Sequence, residues 1–201
     1  SFIILKGKCR NCDFKIPYQY FLVELIVGLG FLISYYFYGI TVTTLLLFIL
    51  IIFFVIIFFI DLKHFIIPNE LTFPLMGIGF IKSFDPNLNQ YLFPNYVNSL
   101  IGGVIGYFII WIIIFGYKKL KNKEGMGLGD AKLLSAIGFW FGWISIPFIL
   151  FFSSFIALMF AIPDLIKKSK TMSSKIPFGP YLVLGCVLYF FLIEQIIKFL
   201  N

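Results

Sequence analysis

The sequence contains few charged residues. Asp, Glu, Lys and Arg together make up 12% of its 201 residues, whereas 61% of the residues are hydrophobic and the mean hydropathy is +1.01. A water-soluble domain of this length carries about twice that share of charge. The shortage excludes a soluble globular domain and indicates an integral membrane protein.

Histidine and cysteine are also scarce, which excludes several kinds of site. His64 is the only histidine, so the sequence contains neither an HExxH motif nor the ligands of a multi-histidine zinc centre. Three cysteines are too few for a disulfide scaffold, and Cys186 lies in an apolar run where it is read as a small buried residue. There is no GxSxG motif, so a serine-hydrolase elbow is not indicated.

The hydrophobic residues that are present form long runs. A run of about 20 residues crosses a hydrocarbon layer of roughly 30 Å as a helix. The ten-residue alternating strands of a membrane barrel do not occur, nor do internal repeats. The sequence therefore predicts an all-α, polytopic membrane protein with about seven transmembrane helices, at residues 21–39, 41–60, 71–81, 97–116, the two halves of 133–166 on either side of a turn at 142–147, and 181–200.

Two of these runs have features that bear on packing. The run at 71–81 is short, and Pro74, Gly77 and Gly79 weaken it as a helix. The run at 97–116 carries small residues at positions 99, 102, 103 and 106, which let another helix approach closely.

The distribution of basic residues indicates the orientation of the chain. With a cytoplasmic N-terminus, seven crossings place 14 of the 16 Lys and Arg residues on the cytoplasmic side. The net charge of +7 is thus mainly a sign of topology; it also favours anionic lipids and calls for no nucleic acid. The same count places Asp61 and Asp130 on the cytoplasmic side. The 14 residues lie in segments 1–20, 61–70, 117–132 and 163–176, and only Lys82 and Lys198 fall on the other side.

Asp61 and Asp130 stand at the ends of apolar runs, where an ionisable group is informative because burying a charge in a bilayer is costly. Asp61 follows the second run, and a structural interpretation pairs it with Lys63 or His64. Asp130 opens the fifth run after the glycine-rich GMGLG, and a structural interpretation makes it a helix N-cap beside glycines of positive φ.

The functional interpretation treats these two aspartates together. Two carboxyl groups on the same side of the membrane, in a partly dry site, can share one proton. One then acts as a base on water while the other, protonated, polarises a carbonyl. Asp164 is a third acid, which we assign to an ion pair with Lys167 or Lys168, while Glu24 and Glu194 are read as structural.

Four segments resemble, in order, the signature blocks of the bacterial type IV prepilin peptidase family. They are "LKGKCRNC…IPYQYFLVE" at 5–24, "FFIDLKHFIIPNELTFPL" at 58–75, "EGMGLGDAKLLSAIGFWFGW" at 124–143 and "KIPFGPYLVLG" at 175–185. The resemblance spans nearly the whole chain. It departs from the family at Phe21, where proline is more usual, and at Asn69, where aspartate is usual.

The resemblance implies an aspartic protease of the GxGD type, in which Asp61 and Asp130 are the catalytic pair. Gly127 and Gly129 form the GxGD stem, where a side chain would obstruct the substrate backbone. The PFGP segment is implied to form a rigid turn near the site, and its residues are Pro177, Phe178, Gly179 and Pro180.

The resemblance also implies the substrate and the location. Such enzymes sit in the bacterial inner membrane with the active site facing the cytoplasm, and they remove the basic leader from type IV prepilins and pseudopilins after a glycine. The hydrophobic helix of the substrate is expected to dock between spans through small residues such as those of the run at 97–116. Proteolysis of this kind needs no cofactor.

A second activity of the family is implied only in part. Many members methylate the new N-terminus with S-adenosylmethionine and carry two CxxC pairs resembling a zinc site, whereas this sequence has the single pair Cys9 and Cys12. We expect residues 1–20 to be part of a cytoplasmic cysteine-containing loop and residues 21–201 to form the transmembrane peptidase domain. An eighth span and another cysteine pair are expected upstream of Ser1, and with them zinc and methyl transfer.

Two other functions remain open from the residues alone. A cation-coupled transporter could use the same aspartates, although its acids are expected nearer mid-span and usually with an internal repeat. A GxGD protease of the presenilin or signal-peptide-peptidase type would hold its aspartates inside the bilayer. The archaeal preflagellin peptidases are a nearer group, from which the CRNC segment separates this chain.

Overall fold

The computed structural model describes residue 7 and residues 15–88, 92–121, 127–166 and 177–200, and in these ranges it is helical without a β-strand. The predicted all-α fold is confirmed. The helices are α1 (Tyr18–Tyr38), α2 (Val42–His64), α3 (Asn69–Ile81), α4 (Tyr96–Lys121), α5 (Leu128–Phe141), α6 (Ser145–Ile166) and α7 (Gly179–Leu200), and a 3-10 turn (Lys82–Phe84) follows α3.

Each predicted apolar run forms one helix, and the number of membrane crossings remains a prediction. Among the described residues, four helices are long and apolar enough to span a membrane: α1, α2, and the segments Tyr96–Leu120 and Ser145–Ile162 of α4 and α6. The chain is therefore a multi-pass membrane protein. α3 and α5, with 13 and 14 residues, rise only about 20 Å, which is less than a bilayer core.

Two helix boundaries bear on the sequence-based predictions. The predicted break in 133–166 is confirmed, because Gly142 ends α5 with a φ of 79° and α6 begins at Ser145. The expectation that the second run ends at Asp61 is wrong: α2 continues to His64, so Asp61 lies within its last turn. Polar residues complete this turn, and Lys63 and His64 suit the negative end of a helix dipole.

The chain divides into two compact units, Ser1–Val55 and Ile56–Asn201. In the first unit, α1 and the beginning of α2 form a hairpin that turns at Gly39, whose φ is 60°. The Phe31 and Phe48 rings stack across the hairpin with centroids 4.1 Å apart. The predicted tight turn near Gly39 is confirmed. The predicted division at residue 20 remains a prediction, since most of residues 1–20 lie outside the described ranges.

In the second unit, the short helix α5 forms the core. Its residues from Asp130 onward are almost all buried, and it contacts α3, α4, α6 and α7. A helix that is apolar on every side is stable only when other elements surround it. Because α5 begins two residues before Asp130, the packing of this helix fixes the position of that carboxyl group.

Small residues bring α4 and α5 into backbone contact. Hydroxyl groups join the two helices: Ser99 Oγ donates to the Phe139 carbonyl oxygen at 2.7 Å, and Ser135 Oγ donates to that of Gly103 at 2.8 Å. The close approach predicted for α4 is confirmed, with α5 as the partner helix. The expectation that these small residues receive the substrate helix is wrong, because α5 already occupies them.

Replacement of Gly138 on α5 by alanine should separate these helices. A Cβ atom at Gly138 would overlap the Gly102 carbonyl group, which belongs to a helix backbone and cannot rotate away. We expect the free energy of unfolding to fall by about 3 kcal/mol, measured by thermal unfolding in detergent. Gly116→Ala on α4 is the control, since a Cβ there meets nothing within 4 Å; an equal loss in both variants would contradict the packing explanation.

Polar side chains also fix the end of α5 against α3. Trp140 Nε1 donates to the Leu75 carbonyl oxygen at 2.8 Å, and Lys82 Nζ donates to the Trp140 carbonyl oxygen at 2.9 Å. Lys82 is buried, its ammonium lies 3.9 Å from the centre of the Phe93 ring, and burial lowers its pKa to about 7. A cation at a helix C-terminus is favourable, so Lys82 serves to cap α5.

Candidate active site

The carboxyl group of Asp61 points to the beginning of α7. Asp61 is 4% exposed, and its Oδ2 accepts a hydrogen bond from the backbone N–H of Gly179 at 3.0 Å. Lys63 and His64 are exposed, and the described residues contain no ion pair between either of them and Asp61. The structural interpretation of Asp61 as half of such a pair is therefore wrong.

Asp130 is the third residue of α5 and is 8% exposed. Gly127, not Asp130, occupies the N-cap position, so the expectation of an aspartate N-cap is wrong. Asp130 lies outside the four candidate spans. Burial and, to a smaller extent, repulsion from Asp61 raise its pKa, whereas a hydrogen bond from the Gly127 backbone lowers it; together they bring the pKa to about 7.

The Asp61 and Asp130 carboxyl groups lie near enough to repel each other. The residues are 69 positions apart in the sequence, at the C-terminal end of α2 and the N-terminal end of α5. The expectation that both lie on the same side of the membrane, which requires an even number of crossings between them, remains a prediction.

The two glycines of the GxGD stem have different surroundings. Gly127 has an extended φ of −85°, and neither it nor Gly129 has a positive φ, so neither position requires glycine for its backbone conformation. A Cβ at Gly127 would meet nothing closer than 3.8 Å. A Cβ at Gly129 would lie 3.0 Å from the Cβ of Ile67, a tight contact.

The PFGP segment begins α7 instead of forming a separate turn. Pro177 and Phe178 precede the helix, and Gly179 and Pro180 are its first two residues. Proline is tolerated there because the first N–H groups of a helix have no partner within it. A Cβ at Gly179 would lie 2.6 Å from Asp61 Oδ2, so any side chain at this position would displace the carboxyl group.

The raised pKa of Asp130 has a consequence for stability. A carboxyl group with a pKa of about 7 in the folded chain and an ordinary value of 3.8 in the unfolded chain stabilises the fold below pH 4. This contribution is lost as the pH rises through about 7, by about 4 kcal/mol at most. Asn cannot ionise, so Asp130→Asn should match the wild type in thermal unfolding near pH 4 and exceed it at pH 8. If the melting temperatures of the two proteins changed with pH in parallel, this prediction would be contradicted.

Sequence reasoning missed two contributors to this region. Ile67 contacts both Gly129 and Gly179, and Lys132 Nζ donates to Asn69 Oδ1 at 2.6 Å. Both Ile67 and Lys132 lie within the segments that resemble the family blocks, which is the signal that could have found them. Their roles depend on contacts between segments about 60 or more residues apart.

Cys9 and Cys12 lie outside the described residues, as does the side chain of Asp164. Two thiolates supply half of the donors of a structural zinc site. In the part of the chain that is described, no group of three or more His, Cys, Asp or Glu could hold a metal ion.

Comparison with known proteins shows which family this chain resembles. The profile of the type IV leader peptidase family matches residues 48–162, which include Asp61 and Asp130, and that of the bacterial peptidase A24 N-terminal domain matches residues 1–38. The chain is 36% identical over 192 residues to a prepilin leader peptidase/N-methyltransferase of Aeromonas salmonicida. The aligned part covers 92% of this chain and 62% of that relative.

Two other relatives with the same name have similar sequence identity to this chain. The identity is 36% over 191 residues with the protein of Xanthomonas campestris pv. campestris, which covers 94% of this chain and 65% of the relative. It is 32% over 186 residues with that of Pseudomonas aeruginosa, covering 92% and 62%. The chain thus spans less than two thirds of these relatives, and no solved structure matches it. The match over more than half of its residues shows that the chain belongs to the type IV leader peptidase family.

Proposed function

We propose that this protein is an aspartic endopeptidase that removes the basic leader from type IV prepilins or pseudopilins, with Asp61 and Asp130 as its catalytic pair. The observation that carries the proposal is the electrostatic coupling of two buried carboxyl groups from distant parts of the family-matched segment. Coupled carboxyl groups titrate as a pair, and a pair with one proton can supply a base and an acid together.

The surroundings of each carboxyl group suggest its role. The Asp61 carboxylate accepts the Gly179 N–H at the start of α7, where the helix dipole favours a negative charge. We therefore assign Asp61 as the base. Asp130 is raised to a pKa of about 7 and holds the proton near neutral pH. The surroundings of the two carboxyl groups differ enough for Asp61 to accept a proton while Asp130 donates one.

The reaction proceeds without a covalent enzyme intermediate. Asp61 takes a proton from a water molecule, whose oxygen bonds to the scissile carbonyl carbon, while Asp130 gives its proton to the carbonyl oxygen. The resulting diol is neutral. Asp130, now ionised, accepts a proton from a diol hydroxyl as Asp61 protonates the amide nitrogen. The C–N bond then breaks, leaving a carboxylic acid and an amine, with Asp61 ionised and Asp130 protonated as at the start.

The expected substrate fits a site at a helix end. A prepilin has a basic leader, then a glycine, then a hydrophobic helix, so its scissile bond lies at the cytoplasmic face of the membrane. Asp61 in the last turn of α2 and Asp130 in the first turn of α5 suit such a bond. The positive-inside count supports a cytoplasmic site, and the proposed location is the bacterial inner membrane, with lipids as neighbours.

The proposal is tested with the purified chain in detergent and a substrate containing a basic leader, a glycine and a hydrophobic helix. Mass spectrometry of the products should show one cut directly after the glycine. A substrate in which tryptophan replaces that glycine is the control and should stay intact. An absence of cleavage in the first substrate would contradict the proposal. A cut within the hydrophobic helix would instead favour an intramembrane protease.

Methyl transfer is proposed only in a limited sense. The name of the relatives includes N-methyltransferase, an activity that the resemblance ties to S-adenosylmethionine and to a zinc site with two CxxC pairs. Of these, Cys9 and Cys12 are in this sequence. We propose that proteolysis needs no cofactor, and that zinc and S-adenosylmethionine act only where the complete set of cysteines is present.

A further inference from the structure

Residues 65–68, which we term the spacer segment, connect α2 to α3, and the chain is fixed at both ends of the segment. At one end, the Phe65 N–H donates to the Asp61 carbonyl oxygen at 2.9 Å, and Phe65 has a left-handed φ of 57°. Residues with a Cβ rarely adopt this conformation unless the surrounding structure imposes it. At the other end, Oδ1 of Asn69, the first residue of α3, accepts a hydrogen bond from Lys132 Nζ at 2.6 Å. Lys132 lies two residues after Asp130.

Ile67 lies in the middle of the spacer segment and is 8% exposed. A Cβ built at Gly129 would lie 3.0 Å from the Ile67 Cβ, and one built at Gly179 would lie 2.9 Å from the Ile67 Cδ1. The side chain therefore fills the space between the N-terminus of α5 and that of α7. The adjacent Ile66 is 62% exposed, although it belongs to the same segment.

These contacts involve the immediate supports of both carboxyl groups. Gly129 precedes Asp130 in α5, and the Gly179 N–H is the hydrogen-bond donor to Asp61. Protein interiors are close-packed, so a change in the volume of Ile67 is transmitted to both supports. A displacement of about 1 Å at reacting groups can lower a rate about 100-fold.

We propose that Ile67 is a positioning residue that sets the separation of the Asp61 and Asp130 carboxyl groups, and that position 129 is glycine because Ile67 occupies the space beside it. The inference rests on the proposed function for its effect on catalysis. It differs from the explanation in which Gly129 clears a path for the substrate backbone, because that explanation gives Ile67 no part.

The first test compares Ile67→Ala with Ile66→Ala, a matched change on the exposed neighbour. We expect Ile67→Ala to lower kcat about 10- to 100-fold with KM within about twofold, and Ile66→Ala to leave both unchanged. Water entering the vacated space should lower the pKa of Asp130, so the basic limb of the pH–rate profile moves to lower pH. The other titratable groups at these helix ends, including Lys63, His64, Glu70 and Lys132, are unaltered.

Two outcomes would overturn the proposal in that test. One is wild-type cleavage by Ile67→Ala. The other is a variant that unfolds at a lower temperature yet keeps the wild-type kcat per folded molecule and the wild-type pH profile, which would make Ile67 a structural residue only. If Asp61→Asn or Asp130→Asn still cleaves substrate, the proposed function itself fails, whatever the result for Ile67.

The second test is a double-mutant cycle between positions 67 and 129, measured by thermal unfolding and by cleavage. Gly129→Ala should lower kcat about 30-fold in the wild-type chain and less than about threefold in the Ile67→Gly background, where no Cβ opposes the new methyl group. The melting temperature should show the same non-additivity without any substrate. Equal effects of Gly129→Ala in both backgrounds would contradict the inference and favour clearance for the substrate.

Discussion

The variants Asp61→Asn and Asp130→Asn should each lower kcat for leader cleavage about 10⁴-fold, while KM changes little. An amide at position 61 cannot take a proton from water, and an amide at position 130 cannot give one to the carbonyl oxygen. The side chains are isosteric and both sites are buried, so the variants should remain folded. The measurement is a single-turnover assay on protein checked by thermal unfolding.

The controls are acids outside the pair. Asp85→Asn alters an exposed carboxyl group that accepts a hydrogen bond from the Asn87 N–H, and Asp164→Asn alters the third acid near the predicted cytoplasmic surface. Both variants should cleave at the wild-type rate. Cleavage that survives the loss of Asp61 or of Asp130 would show that the pair is not the catalytic machinery.

Gly179→Ala should lower kcat about 100-fold. Its Cβ would lie 2.6 Å from Oδ2 of Asp61 and 3.2 Å from Cγ, so the carboxyl group must turn away and lose the backbone hydrogen bond. Because the change displaces the base and not a surface that binds the leader, the loss should appear in kcat and not in KM.

A matched helix glycine provides the control for that prediction. Gly77 lies in α3, and a Cβ there would meet nothing within 4 Å. Gly77→Ala should leave kcat unchanged. Wild-type activity in Gly179→Ala would contradict the assignment of the Gly179 N–H as the support of Asp61, whereas equal losses in both variants would indicate a general effect of alanine.

Much of the fold could be predicted because membrane helices are encoded locally. Every apolar run became a helix, and the break at Gly142 followed from the excess length of the run at 133–166. The end of α2 was harder to predict, since the polar residues after Ile60 still complete a helical turn. The start of α7 was harder to predict, because the Pro–Phe–Gly–Pro segment suits both a bend and the first turn of a helix.

The candidate site could be predicted only in part. Asp61 and Asp130 stand out because charges are rare in apolar sequences and both lie at helix ends. The residues that hold these two carboxyl groups in place could not be predicted, since no local pattern shows that Ile67 faces Gly129 or that the Gly179 N–H donates to Asp61. The small residues of α4 predicted a close neighbour, but only the packing of the second unit identifies that neighbour as α5.

The proton shared by the two carboxyl groups is the central claim, and an infrared pH titration of the folded protein measures it most directly. The C=O stretch of a protonated aspartic acid should be present at pH 5 and disappear with a midpoint near pH 7, and it should be missing at pH 6 in Asp130→Asn. A band that disappears near pH 4, as for an ordinary carboxyl group, or one that persists in Asp130→Asn, would contradict the account.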